Sequence, residues 1–251
     1  MNPTTVFSLK AKTYDRYRWD YAPEAIQAMK NITQLSQKTS LADLGAGTGI
    51  LTIHFVDVVG HVYAIEPNPE MRAVLAHKLT PRQNVTVLDS YAEQTDLPDG
   101  HIDLITIAQA IHWFEPYAAK AEIQRILKPN GWLAVLKNIR TNEHLTRETE
   151  SLMTEAYGAD FSAVRARPKE KPLSFYFGHE NFQRLTYHFA IKQDWNEFLG
   201  AIVSASFMPD HNHPMYPSLE RDARQVFECH SQGNLLTVTG ATQLFIGQLA
   251  R

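Results

Sequence analysis

With 251 residues, 44% of them hydrophobic and 20% charged, and a formal net charge of −3, the chain fits one globular α/β domain and lacks a global positive field for nucleic acid or an anionic membrane. Its single cysteine, Cys229, excludes an internal disulfide and suits a reducing cytoplasm. No run approaches the roughly 18 apolar residues of a membrane span, and the opening MNPTTVFSLKAKTYDRY has neither a long apolar core nor a cleavage-site pattern, so no signal peptide is expected.

Residues 1–21 are polar with interleaved aromatics: Phe7, Tyr14, Tyr17, Trp19 and Tyr21. Pro23 to Leu35 is expected to be an amphipathic helix, with Ile26, Met29, Ile32 and Leu35 on one face and Pro23 in its first turn. Leu41, Ala42 and Leu44 then read as a short buried strand, Gly45, Gly47 and Gly49 as a turn, and Ile50, Leu51 and Phe55 as the start of a helix. In an open parallel sheet, ligands bind beyond the carboxyl end of such a strand. Glycines there admit positive φ and let a ligand lie against the backbone.

The turn reads D-x-G-x-G-x-G, from Asp43 through Gly45, Ala46 and Gly47 to Gly49. Its third glycine comes one residue earlier than in the dinucleotide fingerprint, and it lacks the lysine of a P-loop. Glu66 ends the expected strand His61–Ile65, seventeen residues after Gly49. A carboxylate at that place can accept from both ribose hydroxyls of a nucleoside; the other reading is a solvated strand end.

Beyond Glu66 and Pro67, Asn68 is an expected N-cap and Pro69 an N1 residue for a helix burying Met71, Val74, Leu75 and Leu79, ended by Pro81. Val85–Leu88 is the expected third strand, followed by Asp89, Ser90, Tyr91, Ala92 and Glu93. Ile102–Ala108 is the fourth strand, and Gln109-Ala110-Ile111-His112-Trp113-Phe114 leaves it on the same rim as Gly45 and Glu66. A helix over 117–127, a turn at Lys128-Pro129-Asn130-Gly131 and a strand Trp132–Leu136 complete five β/α units. That alternation predicts a parallel sheet with helices on both faces.

The motifs DLGAGTG, AIEPNPEM, AQAIHWF and LKPNG, in this order, resemble those of class I S-adenosylmethionine (SAM)-dependent methyltransferases, most closely the small-molecule branch with trans-aconitate methyltransferase-like enzymes. The resemblance is strongest from Leu41 to Asn138. It implies a Rossmann-like, seven-stranded, mostly parallel sheet with an antiparallel last strand, helices on both faces and a helical cap insertion. The implied organisation is a single domain: lid and first helix over 1–36, SAM-binding core over 37–138, cap and substrate region over 139–234, and final strand over 235–251.

The resemblance also implies roles. SAM would be held by Asp43, Gly45, Ala46, Gly47, Gly49, Glu66, Pro67, Met71, Ser90, Tyr91, Ala92, Gln109 and Ala110. Tyr91 stands where relatives commonly carry an aspartate for the adenine amino group, so adenine recognition would use backbone groups of Tyr91 and Ala92 or another side chain. Tyr14-Asp15-Arg16-Tyr17-Arg18 matches a lid motif, with Arg18 meeting the SAM carboxylate and Tyr14 or Tyr17 closing over the methyl group; a surface helix packing its aromatics on the core is the alternative. His112 is the first candidate base or orienting group, Tyr14 and Tyr17 the second, and Trp113 would face the substrate.

Residues 139–234 break the β/α rhythm. Helices are expected around Leu145–Ala156, Trp195–Val203 and Leu219–Phe227, a strand over Leu185–Ile191, and a polar loop over 165–172. Phe207, Met208, His211, His213, Met215 and Tyr216 are candidate pocket residues; Asp210 with His211 and His213 lacks a further partner for a metal, and no metal is expected. Thr237 to Leu249 should give the final strand.

The expected activity is methyl transfer to a small molecule, with a carboxylate or hydroxyl oxygen favoured over nitrogen, S-adenosylhomocysteine as by-product and a cytoplasmic location. A non-catalytic SAM-binding module is the alternative, with a nicotinamide-dependent oxidoreductase behind it because of the glycine spacing. Nucleic-acid methylation is disfavoured by the negative charge and by Gln109-Ala110-Ile111-His112 in place of an N-P-P-Y-type motif.

Overall fold

A computed structural model describes residues 10–80, 82–156, 170–205 and 207–250. Phe7, Pro81 and positions 165–169 of the expected polar loop lie outside the described residues.

The strands are β1 (Ser40–Leu44), β2 (His61–Ile65), β3 (Val85–Leu88), β4 (Ile102–Ala108), β5 (Leu127–Arg140), β6 (Gln183–Gln193) and β7 (Leu236–Gln248). They form one sheet in the order β3-β2-β1-β4-β5-β7-β6. The first five pair in parallel, while β7 runs antiparallel between β5 and β6. The helices are α1 (Ala11–Tyr17), α2 (Pro23–Thr33), α3 (Pro69–Leu79), α4 (Pro116–Ile126), α5 (Glu143–Ser151), α6 (Leu173–Phe177), α7 (Trp195–Val203) and α8 (Tyr216–His230).

Alternation along the central strands builds two apolar layers, one on each face. Ala42 and Leu44 of β1 and Leu133 and Val135 of β5 pack with Ile123 and Ile126 of α4 and Tyr176 and Phe177 of α6. Leu41 of β1 and Ala134 and Leu136 of β5 pack instead with Ile26 and Met29 of α2 and Leu75 and Leu79 of α3. A third cluster joins Leu145 of α5, Phe198 and Ile202 of α7 and Leu219, Ala223 and Phe227 of α8 over Leu236 and Val238 of β7. It forms the helical cap.

Local signals set several boundaries as expected. The Asn68 side chain accepts from Met71 N at 2.8 Å with Pro69 following it. Asp194 and Glu197 form a reciprocal capping box at the start of α7.

Three expectations change. The segment after the glycine turn holds only a 3₁₀ turn, Thr52–His54, in place of a full helix. Thr52, Ile53, Val56, Val58 and Val59 are β-branched and lose χ1 freedom in a helix; the chain uses i→i+3 bonds such as Phe55 N to Thr52 O while still burying Leu51, Phe55 and Val59. The stretch 139–234 is not all cap, because β6 within it joins the sheet through full pairing with β7. The fifth strand runs from Leu127 to Arg140, past the expected end at Leu136, because β7 pairs with it as far as Arg140.

Gly60 enters β2 where an added Cβ would lie 2.2 Å from the Gln37 carbonyl oxygen, a backbone atom with little room to move. Gly60→Ala should therefore destabilise the fold by about 2 kcal/mol, a fall in Tm of roughly 4–8 °C. An unchanged thermal melt would show that the 37–39 turn yields.

Candidate functional site

The strand order reverses between β1 and β4, and the carboxyl ends of β2, β1, β4 and β5 border one cavity of about 610 Å³. Its position follows the switch-point rule for open parallel sheets, and its size falls within the range of about 300–1,000 Å³ for small-ligand sites.

The glycine turn forms the floor. Gly45 N and Ala46 N both donate to Ile65 O at 2.9 Å, tying the turn to β2. Gly45, Gly47 and Gly49 have φ of +72°, +58° and +81°. A Cβ at Gly45 would lie 2.6 Å from Ala110 Cβ, so its absence lets the β1 and β4 turns meet. No atom lies within 4 Å of a Cβ position at Gly47, which leaves that backbone open to a ligand.

Glu66 faces this opening. Its Oε2 accepts from Gly47 N at 2.8 Å and its Oε1 from Asn68 N at 2.9 Å. Each oxygen keeps a second lone pair. Burial raises its pKa from the ordinary glutamate value, and the Asn68 and Gly47 N–H groups oppose that rise. Met71 and Ala92 add buried apolar wall, while Tyr91 stands half-exposed at the rim.

The β4 end supplies the opposite wall. Gln109 has φ +53°, and its Nε2 donates to Asn138 O at 3.1 Å. Left-handed backbone at a residue other than glycine is strained and is held here by surrounding contacts. His112 and Trp113 follow in a 3₁₀ turn, both half-buried, with ring centres 5.4 Å apart.

The segment around α1 closes the mouth. A Cβ at Gly200 of α7 would collide with the Tyr17 ring, so that glycine leaves a flat seat for the ring. Lys10 Nζ donates to the carbonyls of Ala205 and Met208, and burial lowers its pKa to about 8. Ala22 N donates to Thr242 Oγ1 at 2.8 Å, and Asn138 Nδ2 to Asp20 O at 3.0 Å.

Fifteen of the expected site residues line this one cavity: Tyr14, Tyr17, Arg18, Gly45, Gly47, Glu66, Pro67, Met71, Tyr91, Ala92, Gln109, Ala110, His112, Trp113 and Phe207. Six do not. Asp43 and Ala46 border a small adjoining crevice, and Gly49 packs against Leu75. Ser90 turns away, its Oγ 3.4 Å from Asp96 Oδ2. Met208 and Tyr216 belong to the apolar core of the cap, a correction that follows from their burial against α7 and α8. His211 stacks near Tyr216 at 4.4 Å. Among the described residues, a histidine–carboxylate cluster lies elsewhere: Glu148 joins His144 and His230, bracing α5 against α8.

Sequence reasoning did not single out Trp19, Asn138, Arg140, Thr146 and Glu150 as site residues, yet all of them line the cavity. Asn138 and Arg140 stand at the carboxyl end of β5, on the same rim as Glu66 and Gln109, so the strand-end rule would have found them had the strand been read to its full length.

Comparisons with known proteins agree with this geometry. Residues 42–135 match the family described as "Methyltransferase domain". An uncharacterised methyltransferase of Mycobacterium tuberculosis is 37% identical over 161 residues, covering 64% of this chain and 62% of that protein. The chain thus spans less than two thirds of the length of that relative. A ubiquinone/menaquinone biosynthesis C-methyltransferase of Shewanella is 36% identical over 117 residues, covering 44% of this chain and 47% of its own. Among solved structures, the YcgJ protein of Bacillus subtilis superposes with a TM-score of 0.59 at 15% identity, covering 92% of this chain and 100% of that one, a likeness of fold.

Beneath the turn, Asp43 is buried, with Thr52 Oγ1 donating to its Oδ2 at 2.6 Å and Thr106 Oγ1 to its Oδ1 at 2.8 Å. Burial outweighs these two bonds and lifts its pKa to about 6. The folded state therefore favours the protonated acid. That preference stabilises the fold fully below the unfolded value near 4 and is lost as pH rises through about 6. Chemical denaturation of wild type beside Asp43→Asn should show the difference moving towards the variant by on the order of 3 kcal/mol between pH 4 and pH 7. A pH-independent difference would place the carboxylate's compensation within its own hydrogen bonds.

Proposed function

Residues 42–135 form a methyltransferase domain, and we propose that the chain uses it to transfer the methyl group of SAM to a small-molecule acceptor. The observation that carries this reading is the open backbone at Gly47 facing the two hydrogen-bonded oxygens of Glu66. A nucleoside ribose would lie against them, its hydroxyls donating to the remaining lone pairs of the carboxylate. The residues at hand suit the rest of SAM: Met71 and Ala92 offer apolar wall for a base, and Arg18 a cation for the amino-acid carboxylate.

SAM supplies an electrophilic methyl group on a sulfonium leaving group. The protein's task is then positioning and exclusion of water, worth up to roughly 7–11 kcal/mol when geometry is right. Gln109, fixed to β5 through Asn138 O, holds one side of the cavity. Tyr14 and Tyr17 on α1 close the other, with Tyr17 seated on Gly200. His112, beside Trp113, orients the acceptor or takes its proton.

On this reading an acceptor oxygen, carboxylate or hydroxyl, is favoured over nitrogen. The Shewanella relative is named for C-methylation, but its match covers 44% of this chain and leaves acceptor choice to the remainder. A small acceptor also fits the formal net charge of −3, which offers no field for a nucleic acid.

Calorimetric titration with SAM and S-adenosylhomocysteine tests the reading. Wild type should bind both, and Glu66→Ala should weaken both by about tenfold or more, the worth of charge-assisted bonds to the ribose. No binding by wild type would remove the methyltransferase reading. Once turnover is measured, His112→Ala should lower kcat only a fewfold for a carboxylate acceptor; a loss of about 10²-fold or more would mark it as general base.

A further inference from the structure

We propose that Arg140, the indole N–H of Trp19 and the hydroxyl of Thr146 form a subsite for a carboxylate on the methyl acceptor. The proposal rests on the methyltransferase reading and names the acceptor class for the same cavity.

Arg140 is the last residue of β5. Glu66 follows β2, and β1 and β4 lie between them in the sheet. Three strand spacings separate the two ends, roughly 14 Å. Arg140 thus stands well removed from Glu66, in the cavity that Trp19, Thr146 and Phe207 also line.

Its guanidinium lies over the Trp19 ring, 5.0 Å from the centre. Among the described residues it makes no ion pair and no side-chain hydrogen bond. Burial lowers its pKa to about 10, with Arg18 pushing the same way and Glu150 opposing. It therefore stays charged at neutral pH, and a cation borders the cavity without an acid on it.

Two neutral groups on residues of the same cavity are also unanswered. Among the described residues, Trp19 Nε1 and Thr146 Oγ1 are buried without a hydrogen-bond partner, and both residues line this cavity. A buried polar group left without a partner is unfavourable until something bonds to it. Indole and guanidinium groups only donate, and a threonine hydroxyl can donate as well. Two neutral donors and one cation call for an acceptor-only anion.

The charge balance narrows the class. Glu150 lines the same cavity near Arg140, so the local field favours one negative charge over two. A carboxylate fits; a phosphate dianion meets repulsion from Glu150. Arg18, a second cavity cation, remains for the carboxylate of SAM itself.

The test uses protein saturated with S-adenosylhomocysteine and titrated with phenylacetate, butyrate, their primary amides and inorganic phosphate. At least one acid should bind about tenfold or more tightly than its amide, the worth of one charge-assisted pairing. Arg140→Gln should erase that margin, Arg140→Lys should keep part of it, and the S-adenosylhomocysteine affinity of both should stay within about twofold of wild type. Equal binding of acid and amide, no binding of either acid, or a margin that survives Arg140→Gln overturns the proposal. So does phosphate binding as tightly as the acids. A loss of S-adenosylhomocysteine binding in Arg140→Gln as large as in Arg18→Gln would reassign Arg140 to the cofactor. Failure of wild type to bind S-adenosylhomocysteine, seen before any acid is added, instead removes the methyltransferase reading on which the subsite rests.

Discussion

A buried carboxylate under a glycine turn is the constraint on which the site depends. Asp43 sits on the central strand and takes one hydroxyl from Thr106 on the neighbouring strand and one from Thr52 in the turn that follows. The Thr106 bond fixes β1 to β4 where the strand order reverses, and the Thr52 bond ties the following 3₁₀ turn to β1. The glycines above can then adopt positive φ without the turn collapsing. Burying an acid that would rather be neutral is costly, and the cost falls where the chain needs rigidity. On the proposed function the charge has a second effect: a negative group beneath the floor favours a cationic ligand such as a sulfonium over a neutral one.

The mouth of the cavity depends on a different kind of bond. Its residues come from α1, from the ends of β4 and β5, and from α5 and α7. Long-range polar contacts hold them in register. Asn138 is the hub: its Oδ1 accepts from Thr242 Oγ1, its Nδ2 donates to Asp20 O, and its carbonyl accepts from Gln109 Nε2. One residue thus links β5, β7, the segment after α1 and the turn after β4, the last through its backbone carbonyl. Lys10 and the ion pair of Asp15 with Lys78 pin the lid at two further places. These polar ties, together with the packing of Tyr17 on Gly200 and of Tyr21 in the core, hold Tyr14, Tyr17 and Arg18 at the cavity.

The half of the site built on one β/α rhythm was legible from the residues. Gly47 and Glu66 belong to local patterns, a strand followed by a turn and a strand ending in an acid, and the structure brings them within a hydrogen bond of each other. Asn68 and Pro69 signalled α3 in the same local way. What failed was non-local. The run from Thr52 to Val59 carries helix-like apolar spacing, yet its β-branched residues and the pull of Asp43 on Thr52 keep it in 3₁₀ turns. The stretch Met208 to Tyr216 looked like a pocket wall because it is aromatic and sulfur-rich; it closes the cap core, since α7 and α8 need that apolar surface more than the cavity does. β6 joins the sheet only because β7 returns beside β5, a pairing no short window shows.

On the proposed function, the same division separates cofactor from acceptor. The family match ends at residue 135, before the exposed end of β5. Asn138, Arg140, Thr146, Glu150, Ala201 and Phe207, which line the remaining cavity, all fall after it. A turn that holds a nucleoside constrains backbone geometry, so its pattern recurs wherever that geometry is needed. A wall that chooses an acceptor constrains only charge and shape, and different residues can meet those demands. On that reading the acceptor side is read from what its side chains leave unanswered, which among the described residues is one cation and two buried polar groups on residues lining one cavity.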